Sequence, residues 1–139
     1  MSMQRALLRE FRDALKVDAQ IVALAGDRIH FDYPDVNSPT PYVVVSLNAL
    51  TAPNLDARDE YTALVNVQAV ADAEQDGDSK APSITDRAVT VLHNAALDLS
   101  PDWEMRRCEF DSGYRMSELT DRRRYAIAGA IFRVEADEV

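Results

Sequence analysis

The sequence predicts an α+β domain: a four-stranded, mainly antiparallel sheet with helices packed on one face, in the order α-α-β-β-α-β-β. Three observations carry this. Apolar residues recur at helical spacing in three stretches, and they alternate with a period of two in four others. The first two alternating stretches are neighbours joined by a polar connection, which makes them an antiparallel pair. The length of 139 residues matches one domain, 1–139, since single domains most often run ~100–150 residues. A chain of this size buries enough surface to need neither disulfide nor metal for its core.

From Gln4 to about Lys16, Leu7, Leu8, Phe11, Ala14 and Leu15 fall on one side of a helix. Asp18 is placed to cap a shorter helix through Ile21, Val22 and Leu24, and Gly26 to close it. Residues 32–41 hold Pro34, Pro39 and Pro41, which excludes regular structure. Tyr42–Leu50 alternates as a strand, with Val43, Val45, Leu47 and Ala49 on one side and Tyr42, Val44, Ser46 and Asn48 on the other. The connection Thr51–Asp59 is too long for a tight hairpin and carries Leu55 among polar neighbours. It reads as an arm laid on an adjacent subunit, with Asn54, Leu55, Asp56 and Arg58 as its contacts.

Glu60–Ala71 is the second strand, with Tyr61, Ala63, Val65, Val67 and Ala69 sharing a face. Asp72–Pro82 follows as an acidic loop. A helix is predicted from Ser83 to Asp98 on the spacing of Ile84, Ala88, Val91, Leu92, Ala95 and Leu99. Strands from Trp103 to about Met116 and from Arg122 to Val134 complete the order.

Charge and composition exclude several functions. Acids outnumber basic residues 24 to 15, a net charge of −9. That argues against a nucleic-acid-binding module, whose affinity begins with Lys and Arg on phosphates. The first helix is locally basic, with Arg5, Arg9, Arg12 and Lys16 against Glu10 and Asp13. No apolar run reaches the ~20 residues of a membrane helix, and the mixed-charge N-terminus does not read as a signal peptide. The single Cys108 cannot form an internal disulfide and suits a reducing compartment.

Catalysis has little support. His30 and His93 are far apart, and no phosphate loop, nucleophile elbow or zinc spacing occurs. His93 reads as a satisfied helix histidine and Cys108, despite Arg106 and Arg107 beside it, as a small buried apolar group. No enzyme and no cofactor are expected. Asp72, Glu74, Asp76 and Asp78 alternate, with Gly77 sixth, as in a calcium loop. The twelfth position is Ser83 rather than Glu, so a solvated loop is the default and a cation-regulated binding module the alternative. In a strand, Arg122 and Arg124 would share one face and Arg123 the other. They read as a solvated edge or, alternatively, as a subunit contact through Arg122 and Arg124.

The run IVALAGDRIHFDYPDVNSPTPYVVV at Ile21–Val45 resembles the tail-completion family of long-tailed phages, the tail terminators or head–tail joining proteins. Leu24, Gly26, Asp27, Arg28, Ile29, Phe31, Pro39, Pro41, Tyr42, Val43 and Val44 carry the likeness. Val65–Gln68, Asp86–Leu97 and Tyr125–Val134 are similar to the family's second strand, long helix and last strand. These motif residues read as fold-making: Gly26 stops the helix, Asp27 and Arg28 are placed to pair, and the prolines fix an extended crossing.

The resemblance implies a virion structural protein at the tail–head junction, made in the host cytoplasm, of phage, prophage or gene transfer agent. It implies a homo-oligomeric ring, of six subunits by family analogy, that caps the tail-tube protein and docks to the head connector or neck. DNA would pass without specific binding, no membrane would be involved, and the acids at 72, 74, 76 and 78 would line the lumen. Another neck or tail ring component is the competing reading.

Overall fold

The computed structural model describes residues 2–35, 37–51 and 60–139. The Oγ of Ser2 accepts the Arg5 N–H and starts helix α1 (Met3–Lys16), which fully buries Leu7, Phe11 and Leu15. Asp18 caps α2 (Ala19–Ala25) by accepting the Ile21 N–H, and Gly26 ends it at a φ of +61°. A Cβ is strained at that φ, which is why glycine stands there.

Strand β1 (Ile29–Phe31) follows at once and lies parallel to β2 (Tyr42–Thr51), with Ile29 opposite Val43 and Phe31 opposite Val45. Arg28 does not pair with Asp27. Its Nε donates to the Pro41 carbonyl (2.8 Å), while its own carbonyl accepts the Val43 N–H (2.8 Å). The stretch from Gly26 to Val45 is thus one device: a turn, a guanidinium clamp and a parallel strand pair.

Strand β3 (Glu60–Asp72) runs antiparallel to β2, as the alternation predicted. Helix α3 (Lys80–Leu92) crosses the sheet, and β4 (Trp103–Thr120) and β5 (Arg123–Glu138) form a long hairpin. Among the described residues the sheet has five strands in the order β1-β2-β3-β5-β4 and is mixed, not four-stranded. The extra strand is three residues long, too short to show a period in sequence.

The helices cover one face of the sheet. Val43, Val45, Val65, Val67, Ala128, Phe132 and Val134 meet Leu7, Phe11, Ile84 and Leu92 there, with Phe11 edge-on to Phe132 at 5.6 Å. The shared face predicted for Tyr61 to Ala69 stands. A bulge between Leu47 and Ala49 turns Ala49 away from the core, where it pairs with Leu64. Asp18 ties the helices together, accepting from Arg87 of α3 at Nε (3.1 Å) and Nη2 (2.8 Å). Those bonds hold its carboxyl below the ordinary aspartate range.

Helix α3 begins three residues before the predicted Ser83 and stops six before Asp98. Pro82 falls in its first turn, where the missing N–H has no partner to lose. His93 leaves the helical region and Asn94 takes a φ of +61°, so the spacing of Ala95 and Leu99 does not belong to the helix. Leu99 still reaches the core, from an irregular segment.

Candidate assembly interface

At one end of the sheet the chain turns from β3 into the approach to α3, and the β4–β5 hairpin closes beside it. Asp72 stands opposite Tyr125, and the Ala73 N–H donates to the Arg124 carbonyl at 2.9 Å. Asp72 is buried. Its Oδ1 accepts the N–H groups of Glu74 (3.0 Å) and Gln75 (3.1 Å), and its Oδ2 faces Arg123 Nη1 at 3.4 Å. Asp76 Oδ2 accepts the Asp72 N–H at 2.9 Å. Asp78 pairs with Arg124 at 3.4 Å, and Glu74 is exposed.

The acidic loop and the arginine cluster, read apart in the sequence, are therefore one cluster. Asp72 and Asp76 build its turn, Asp78 is balanced by an arginine, and Glu74 stands free of both tasks. Arg122 is not in strand alternation. With Asp121 it forms the two-residue hairpin turn, at φ values of +65° and +49°. Arg124 remains in β5. Asn54, Leu55, Asp56 and Arg58 lie outside the described residues.

The sheet face opposite the helices carries no element of the described chain. Tyr114 of β4 lies over Gly129 of β5 and puts its hydroxyl 3.0 Å from both Asn66 Oδ1 and Gln68 Oε1 of β3. Its one proton serves one amide oxygen, and the other amide, turned over, returns an N–H to the hydroxyl oxygen. Sequence reasoning missed this link. The available signal was a glycine inside the apolar run Ala126–Phe132, which marks close approach in a strand.

Strand β4 is the long edge of the sheet. Its first half is guarded in ways that hinder strand pairing. Bulges interrupt it at Met105/Arg107 and Phe110/Ser112, Arg106 pairs with Asp137 (3.3 Å), and Arg107 lies near Glu135 (3.8 Å). The segment after α3 also covers it: Phe110 N–H donates to His93 Nδ1 (3.0 Å), and Asn94 N–H to the Cys108 carbonyl (2.8 Å). Beyond Ser112 the register is regular to the turn, and no described strand lies on the outer side. Met116 and Leu119 are 54% and 76% exposed there.

Chemistry of the reactive kind is poorly served. Burial, with a smaller push from Glu109, raises the Cys108 thiol to about 12. Among the described residues no group of three or more His, Cys, Asp or Glu is placed to hold a metal, and no helix is long and apolar enough to cross a membrane.

The sequence pattern of the family described as tail completion protein gp17 matches residues 9–128. In fold, the chain is similar to one in the virion of a native gene transfer agent particle. That likeness has a TM-score of 0.73 and 20% identity, and it covers 96% of each chain. A second solved structure has a TM-score of 0.57 at 14% identity, covering 99% of this chain and 93% of that one. No curated protein matches in sequence. The pattern takes in everything from the middle of α1 into β5, so this chain belongs to the tail completion protein gp17 family and has a structural role in a virion tail.

Proposed function

We propose that the protein acts as one domain, 1–139, in a homo-oligomeric ring that ends the tail tube and joins it to the head connector or neck. A non-enzymatic assembly role follows. One ring face matches the last ring of tube subunits and stops polymerisation, and the other offers a new surface to the neck. DNA passes through the opening without specific binding. Asn54, Leu55, Asp56 and Arg58 supply an arm to the neighbouring subunit, and the 120s hairpin with Arg122 and Arg124 lies at a subunit contact.

The observation that carries this reading is the family match over residues 9–128. The likeness to a chain of a gene transfer agent virion supports the same reading for a phage or phage-like particle. Cryo-microscopy of particles, with a deletion strain beside them, tests it. We expect a closed ring at the tail–head junction, and in the deletion strain heads without tails and tubes of uncontrolled length. Density for this chain elsewhere in the particle, or normal particles without it, overturns the reading.

A further inference from the structure

The unguarded half of β4 borders a trough on the helix side of the sheet. Two adjoining cavities, of about 280 and 310 Å³, occupy it. The first is lined by Thr85 and Val89 of α3 with Phe110, Gly113 and Ala130. The second is lined by Pro82 and Asp78 with Ser117, Arg124 and Ala126. Glycine, serine and alanines form the floor, so the space is there because the side chains are small. Arg115 lines both cavities and is exposed. It has no ion-pair partner among the described residues, Asp86 on the rim of the first cavity included.

An extended chain laid against a free sheet edge gains backbone hydrogen bonds, and pockets under alternate side chains select its sequence. Here Gly113 and Ser117 are four residues apart, roughly 13 Å at ~3.3 Å per residue. Arg115 stands midway and shares their face. A strand added along Ser112–Thr120 would turn two side chains four residues apart into the cavities, and the residue between them toward Arg115. We propose that this edge is a docking site for an extended segment of another protein. The segment carries a large apolar residue, any residue, an acid, any residue and a second large apolar residue.

The sequence itself argues against a second copy as the donor. That pattern, with large apolar residues on both sides of the acid, occurs at Phe11–Asp13–Leu15, and there both apolar residues are buried in α1. The opposite sheet edge, β1, is only three residues long. Two of its outward-facing groups are taken up locally, with Ile29 N–H donating to the Asp27 carbonyl (2.8 Å) and the Phe31 carbonyl accepting from Tyr33. The proposal does not depend on the ring reading, which is tested on particles rather than on free protein.

The test uses the purified full chain and a labelled peptide, Ser-Leu-Thr-Asp-Thr-Leu-Ser, followed by fluorescence anisotropy. Controls replace its Asp by Lys, or its second Thr by Pro to block strand pairing. We expect saturable binding of the Asp peptide, weakened about tenfold or more by Arg115→Glu. The Lys peptide should show the reverse preference, and the Pro peptide should not bind. Arg115 is exposed, so the variant should melt as the parent does, and Arg115→Gln should fall between the two. Equal binding of Asp and Lys peptides, retained binding of the Pro peptide, or no binding at about 1 mM overturns the proposal. So does a sedimentation result showing the edge closed by a second copy, with Arg115→Glu releasing monomers.

Discussion

Gly129 shows how much one missing side chain can hold together. A Cβ there would overlap the Tyr114 ring, and the ring is what spans β5 to reach Asn66 and Gln68. Asn66 is buried, so displacing the hydroxyl strands an amide with little access to water. Overpacking and an unsatisfied buried polar group act together in Gly129→Ala, which should cost about 2 kcal/mol. Tyr114→Phe removes the hydroxyl alone and should cost about 1 kcal/mol. Urea melts of both, and of Gly129→Ala in a Tyr114→Ala background, make the check. The alanine at 129 should be nearly harmless once the ring is gone, a coupling that a double-mutant cycle isolates. Full cost in that background would show that the strain lies elsewhere.

At the scale of elements, what sequence made legible depended on length and on caps. The alternation of Tyr42–Leu47 and Tyr61–Ala69 and the helical spacing around Phe11 carried over because each buries one face against the others. The bulge after Leu47 ends the first alternation before Ala49. Asp18 begins α2 through its carboxylate, and Gly26 ends it at a φ that a Cβ would strain. β1 was illegible because three residues show no period, and the end of α3 because Ala95 and Leu99 continue an i, i+4 rhythm past His93. Of the hairpin turn Asp121–Arg122, the sequence reading puts Arg122 in the last strand, because nothing marks the turn. Its positive φ values belong by preference to Asn-Gly, and here an arginine takes the second position. Arg122→Gly should relieve that strain. Against the extra entropy of an unfolded glycine, the net gain should be about 0.5–1 kcal/mol. A raised urea midpoint with an unchanged slope would bear this out. An unchanged or lowered midpoint would mean that the arginine makes contacts that outweigh its backbone.

Across the whole molecule, charge is arranged by register rather than by sequence neighbourhood. Pairing of β3 with β5 brings Arg123 within 3.4 Å of Asp72, 51 positions away, a link that no local reading reveals. The acids at 72, 74, 76 and 78 are therefore not four equivalent free charges, and replacing all of them would dismantle the turn that Asp72 and Asp76 build. Glu74→Gln with Asp78→Asn leaves that turn intact, removes two charges and frees Arg124 from its partner. This gives a clean test of whether the surplus of acid keeps DNA at a distance. With a net charge of −9, the parent should show no duplex binding at about 0.15 M salt, because like charge opposes approach and most arginines among the described residues have an acid beside them. The double variant exposes Arg122 and Arg124 together and should bind duplex weakly at low salt. That affinity should fall steeply as salt rises, as counterion release requires. Tight binding by the parent at physiological salt would mean that the protein grips DNA. Indifference of both proteins to DNA at every salt concentration would leave the acids the task of keeping the subunit soluble before it assembles.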